Sequence, residues 1–228
     1  MTKIIFLIWI AITPILTYAQ DWANLNRYMK ANSEISSPLS GEKRVVFMGN
    51  SITESWLEFL PEFFNENPYI NRGISGQTTP QMLLRFRQDV IDLNPVVVVI
   101  LAGINDIAGN TGPSTIEMIF SNIKSMAELA HANNIKVVLC SVLPANDFSW
   151  SPEEGPAEKV IKLNSLLKSY SNDKDIVYAD YFSEMVDANN GLKESLGLDS
   201  VHPNKEGYLV MEPIIEKAIA ETLFKPTE

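Results

Sequence analysis

Cysteine and histidine are scarce in this chain: one cysteine and two histidines in 228 residues. With a single cysteine, Cys140, no disulfide can form within the chain, so stability has to come from a packed core. Cys140 sits in the apolar run Lys136-Val137-Val138-Leu139-Cys140-Ser141, where a thiol behaves as a small hydrophobe rather than a nucleophile. So few soft ligands also argue against a zinc site, and no metal or cofactor is expected. Positive charge is short as well, with 18 Lys and Arg against 28 Asp and Glu and a net charge of -10. That balance argues against nucleic acid and against an anionic membrane surface as partner, and says little about a neutral one such as a small-molecule or glycan ester. No repeat, low-complexity tract or long linker divides the chain.

Long apolar runs are also missing. The N-terminal stretch Ile4 to Ile15 falls short of the ~20 residues a membrane span needs. Lys3 before it and the small-x-small triplet Thr17-Tyr18-Ala19 after it read as a secretory leader over 1–19. The alternative is an uncleaved anchor. The leader reading makes the mature protein one domain over 20–228, secreted or periplasmic, with no stable membrane anchor once the leader is removed. No cysteine stands near the cleavage site to carry a lipid.

What remains is a regular alternation. A short helix around Trp22 to Lys30 leads in. Apolar runs then read as strands at Arg44–Met48, Tyr69–Asn71, Val96–Leu101, Lys136–Ser141 and Ile176–Ala179. Val96 to Leu101 is apolar throughout, as a strand covered on both faces should be. Between the strands lie helices. One runs from Trp56 to Asn67. The next runs to about Leu93, with Thr79 as N-cap and Pro80 at the first position. Another covers Thr115 to Ala132, with Ile116, Ile119, Ile123, Met126 and Leu129 on one stripe. Two more cover Glu158 to Tyr170 and Glu206 to Thr222. Such alternation implies an α/β fold, a parallel sheet with right-handed crossovers and helices on both faces. Three loops, Asn105–Ser114, Pro144–Pro156 and Asp187–His202, are expected at the carboxyl edge of the sheet, where such folds build their sites.

The scarcity of histidine narrows the chemistry. A serine nucleophile needs a base, and only His131 and His202 are available. His131 is explained by its place at a helix end. His202 lies in a loop, three residues after Asp199, a spacing that lets the carboxylate reach Nδ1 and leaves Nε2 free. A plain surface turn is the alternative, since Asp199-Ser200-Val201-His202-Pro203 is rich in turn formers. Ser51, in Gly49-Asn50-Ser51-Ile52-Thr53-Glu54 after the first strand, is the candidate nucleophile. It also fits a capping box with Glu54, in which its hydroxyl merely caps a helix. Gly73-Ile74-Ser75-Gly76 and Gly103-Ile104-Asn105-Asp106 follow the second and third strands, where backbone N–H groups or the Asn105 amide can hold an oxyanion. Asp106 reads as a loop holder. Phe148 and Trp150 either stack on a sugar or pack their loop onto the core.

These four segments, in this order, resemble the blocks of the SGNH, or GDSL-type, hydrolases over about residues 44 to 211. The resemblance implies Ser51 as nucleophile, His202 and Asp199 as base and orienting acid, and Ser51, Gly76 and Asn105 as the oxyanion hole. Asn50 stands where the family often has an aspartate. The fold implied is a flavodoxin-like three-layer α/β/α sandwich with a five-stranded parallel sheet. The activity implied is a cofactor-free serine esterase. A short chain with little material for a lid points to short acyl groups, such as acetyl esters on carbohydrates. A lysophospholipase, thioesterase or platelet-activating-factor acetylhydrolase-like lipid esterase is the alternative within hydrolases, and a carbohydrate-binding protein without turnover the alternative outside them.

Overall fold

A computed structural model of the chain describes residues 21–151 and 155–225. The leader expected over 1–19 and the middle of the 144–156 loop lie outside them. Five strands form one parallel sheet: β1 (Val45–Gly49), β2 (Tyr69–Gly73), β3 (Val97–Leu101), β4 (Lys136–Cys140) and β5 (Val177–Ala179). Their order is β2-β1-β3-β4-β5, with Val46 beside Ile70 on one side and Val98 on the other. This is the flavodoxin-like order, and its switch point lies between β1 and β3. All residues of β1 and β3 are buried, which is why both strands read as unbroken apolar runs.

The helices are α1 (Met29–Glu34), α2 (Ser51–Phe59), α3 (Pro61–Asn65), α4 (Thr79–Asp89), α5 (Ile104–Ile107), α6 (Ile116–Ala132), α7 (Pro156–Asp173), α8 (Tyr181–Met185) and α9 (Lys205–Phe224). α4, α6 and α7 pack side by side on one face of the sheet, and α2, α8 and α9 with α3 cover the other. The three-layer α/β/α architecture follows. Phe47 of β1 anchors the second face, with Trp56, Phe63, Phe64 and Tyr69 around it at ring separations of 5.3–6.0 Å. Among the described residues no helix is long and apolar enough to cross a membrane.

Four local expectations are corrected. The helix expected over Trp56 to Asn67 starts at Ser51 and is split in two at Leu60, which takes φ -136° and ψ 68°. Pro61 causes the break: its ring disfavours a helical residue before it, and it has no N–H to continue the ladder. The lead-in helix begins at Met29 rather than Trp22. Asn24 sits at φ 53°, and the Asp21 carboxylate takes the amides of Leu25 and Asn26, a local alternative to helical bonding. α4 is capped by Thr78, not Thr79, and Gln81 Oε1 accepts the Thr78 amide in return. On α6 Leu129 is exposed and Ala130 buried. At 100° per residue Ala130 falls near the centre of the stripe and Leu129 about 100° from it.

Candidate active site

β1 ends at Gly49, and the next two residues divide the work of starting a helix. Asn50 Oδ1 accepts the Ile52 amide at 3.0 Å and caps α2. Ser51 therefore occupies the first helical position with its hydroxyl free. Glu54, the other half of the expected capping box, turns away to Ser75 and Arg27. The capping role considered for Ser51 thus belongs to its neighbour. Ser51 Oγ lies 3.0 Å from His202 Nε2.

His202 comes from the loop before α9. Asp199 Oδ1 accepts the amides of Val201 and His202 at 2.8 and 2.7 Å, so the short turn is tied to the carboxylate. The same carboxylate meets His202 Nδ1 at 2.9 and 3.1 Å. Partial burial pushes the Asp199 carboxyl up, but the bonds from the His202 amide and ring and the Val201 amide outweigh it and hold the carboxyl below its ordinary value. Asp199, His202 and Ser51 thus form one hydrogen-bonded line at the carboxyl end of β1, beside the switch point.

Two loops frame Ser51. β2 runs close under α2: a Cβ on Gly73 would fall 2.2 Å from the Glu54 nitrogen, so only glycine lets the strand end there. Gly76 follows at φ +77°, a left-handed turn on the exposed side of the loop. After β3, Asn105 on α5 is buried, and its Nδ2 donates to the Gln77 carbonyl at 3.0 Å. That leaves the amide's second N–H for another acceptor. Asp106 beside it accepts the Thr79 amide and hydroxyl, at 2.9 and 2.6 Å, and thereby fixes the start of α4 to the β3 loop. Burial raises the Asp106 carboxyl to about 6 despite these bonds.

The three loops singled out in the sequence converge here. Asn110 donates to the Gly76 carbonyl at 3.2 Å and accepts Trp150 Nε1 at 3.0 Å. The Trp150 ring lies 6.0 Å from the His202 ring, and Trp150 is 43% exposed. Ser200 Oγ donates to the Asp147 carbonyl at 3.0 Å. Phe148 is buried and packs against Trp150 at 5.4 Å. The two aromatics therefore separate: Phe148 belongs to the core and Trp150 to the rim of the site. Sequence reasoning did not identify Asn110 or Gln77. Nothing but proximity to Gly76 and Asn105 marks them in the sequence.

The remaining titratable candidates lie elsewhere. His131 is exposed in the last turn of α6. Cys140 is buried on β4, and burial pushes its thiol up to about 12, so it is no nucleophile. A cavity of about 410 Å³ opens near His131, Lys136 and Lys225 at the amino edge of the sheet and does not touch Ser51 or His202. Among the described residues no cluster of His, Cys, Asp and Glu is arranged to hold a metal.

Comparison with known proteins places these features. The model of the GDSL-like lipase/acylhydrolase family matches residues 47–210, which hold Ser51, Gly76, Asn105, Asp199 and His202. A crystal structure from Bacteroides fragilis, assigned as an acylhydrolase, is 52% identical, with TM-score 0.87, covering 90% of this chain and 99% of that one. A structure of an acetylxylan esterase from Geobacillus stearothermophilus shares the fold at 17% identity and TM-score 0.65, over 81% of this chain and 96% of that one. The uncharacterized lipoprotein YqeF of Bacillus subtilis is 25% identical over 157 residues, 60% of this chain. The match spans just under two thirds of that relative, 65% of its length.

Proposed function

The chain belongs to the GDSL-like lipase/acylhydrolase family, and we propose that it is a secreted serine esterase that removes short acyl groups, chiefly acetyl, from carbohydrates. The observation that carries this reading is the Ser51–His202–Asp199 line, with contacts of 3.0 and 2.9 Å. His202 Nε2 takes the Ser51 proton as Oγ attacks the ester carbonyl carbon. Asp199 keeps Nδ1 protonated and stabilises the imidazolium that forms. The N–H groups of Ser51 and Gly76 and the second N–H of Asn105 hold the oxyanion, each worth roughly 2.7–4 kcal/mol in the transition state. The C–O bond to the alcohol breaks, and the alcohol oxygen leaves with the proton from Nε2. Water then attacks the acyl-serine by the same route and releases the carboxylic acid. No step calls for a metal or cofactor.

Trp150 supports a sugar as the alcohol, because its exposed ring stands beside the histidine that protonates the leaving group. The acetylxylan esterase on the same fold points the same way. Secretion rests on the leader reading of 1–19, which leaves one domain over 20–228, and a lipoprotein among the relatives accords with a location outside the cytoplasm.

The test is hydrolysis of p-nitrophenyl acetate, butyrate and octanoate by the wild type, Ser51→Ala and Asp199→Asn. Rates falling with acyl length are expected. Ser51→Ala should abolish them while the fold persists, because Asn50 keeps the cap. Asp199→Asn should lower kcat on the order of 10³–10⁴-fold. Preference for octanoate would move the reading to a lipid ester. No turnover and no labelling by a fluorophosphonate would leave a carbohydrate-binding protein.

A further inference from the structure

The family match begins at residue 47, yet the chain before it reaches the loop that frames the site. Residues 21–35 lie along α4 and the loop after β2. Gln81 and Gln88, on one side of α4, donate to the Trp22 and Leu25 carbonyls at 2.6 Å each. Asn32 donates to Asp89 Oδ1 at 2.7 Å and accepts Arg72 Nε at 2.9 Å. These bonds fasten the segment to the body. Two others reach the end of β2 and the loop after it directly, and a third reaches that loop through Glu54.

Tyr28 Oη donates to the Gly73 carbonyl. The Arg72 guanidinium lies over the Tyr28 ring, 4.6 Å from the ring centre. The Ala23 carbonyl accepts Gln77 Nε2 at 2.7 Å, and both residues are buried. Arg27 pairs with Glu54, whose second oxygen accepts the Ser75 amide at 2.8 Å. Gly73, Ser75 and Gln77 are thus each secured, directly or through one side chain, and Gly76 lies among them.

Gln77 extends the effect. Its carbonyl accepts Asn105 Nδ2, and its side-chain oxygen accepts Arg85, a fully buried arginine that also donates to the Gly49 carbonyl at 3.0 Å. Arg85 is neutralised by Asp89 at 3.0 Å, and Asp89 is the residue that Asn32 grips. One network therefore joins the segment to the end of β1, the Gly76 loop and the Asn105 side chain. These are the three sources of the oxyanion donors.

We propose that residues 21–35 form a strap that positions the oxyanion hole, with Tyr28 and the Ala23 carbonyl as its points of hold. Tyr28 is a positioning residue, since it touches the loop and not the reacting atoms. The inference rests on the reading of Gly76 and Asn105 as oxyanion donors. Its physical basis is that donors contribute to a transition state only when already aimed, and a loop free to move loses that advantage.

The test uses the mature chain and the substitution Tyr28→Phe, which removes one hydroxyl and keeps the ring beneath Arg72. Two readouts are taken. Amide hydrogen exchange at Ile74, Ser75 and Gln77 reports whether the strap holds the loop, independently of turnover. Steady-state kinetics on p-nitrophenyl acetate report whether that hold serves the reaction. Exchange about tenfold faster at these amides is expected, with kcat down about three- to tenfold and KM within about twofold. Unchanged exchange overturns the proposal. Faster exchange with unchanged kcat, in a preparation that Ser51→Ala inactivates, also overturns it, because the strap would then be structural only. If the wild type itself neither turns over nor reacts with a fluorophosphonate, the esterase reading fails. The exchange data then stand alone and still decide whether the strap holds the loop.

Discussion

Asn50 caps the helix that Ser51 begins. Its side chain takes the Ile52 amide at 3.0 Å, and Ser51 Oγ turns instead to His202, 151 positions along the chain, at 3.0 Å. A single serine can satisfy a helix terminus or a histidine, and here an adjacent residue has taken over the first task.

This division predicts the behaviour of Asn50 variants. Asn50→Ala should lose about 1 kcal/mol of stability, the ordinary worth of an N-cap. Asn50→Asp should keep it, because the carboxylate accepts the same amide and suits the helix dipole. Chemical denaturation of the three proteins at neutral pH measures this. An alanine variant as stable as the wild type would return the capping role to Ser51.

Much of the sheet was legible in the sequence because parallel strands covered on both faces read as apolar runs. β3 announced itself through Val97 to Leu101, each residue of it buried. The split at Leu60 was also legible in principle, since Pro61 causes it. The lead-in was not. Asn24 at positive φ and the Asp21 carboxylate override a pattern that suits a helix at Trp22. Within the site, Ser51, Asp199 and His202 were candidates from the sequence, and the structure brings them into contact. Gln77, Asn110, Arg85 and Tyr28 were not, because each acts through a carbonyl or side chain distant in sequence. No periodicity or motif records such a contact. Phe148 and Trp150 were indistinguishable as aromatic loop residues, and only burial separates them.

That separation carries its own prediction. Trp150→Ala should raise KM for an acetylated xylo-oligosaccharide about three- to tenfold, as loss of a ring contact worth about 0.5–1.5 kcal/mol implies. Ethyl acetate, which has no ring to stack, should show no such change. Phe148→Ala should instead destabilise the protein by about 3–5 kcal/mol, because it empties a buried site. Michaelis constants on the two substrates and thermal unfolding of both variants provide the check. Equal effects on both esters would remove Trp150 from substrate binding.

Asp106 gives a prediction in pH. Burial raises its carboxyl from an ordinary 3.8 to about 6, while the Thr79 hydroxyl and amide pull the other way. A carboxyl raised in the folded state binds more protons folded than unfolded between these two values. Its contribution to stability is therefore fully present below pH 3.8 and is lost as pH rises through 6. Asp106→Asn keeps an oxygen for Thr79 and cannot ionise. The difference in unfolding free energy, wild type minus variant, should thus fall between pH 4 and pH 7 by on the order of 3 kcal/mol. Asp199, whose carboxyl is held low, titrates in both proteins and cancels from the difference. Urea unfolding of the pair at pH 4, 5, 6 and 7 measures it. A difference that rises with pH would mean that the Thr79 bonds outweigh burial. Asp106 would then anchor α4 as a stabilised carboxylate rather than as one ionised at a cost.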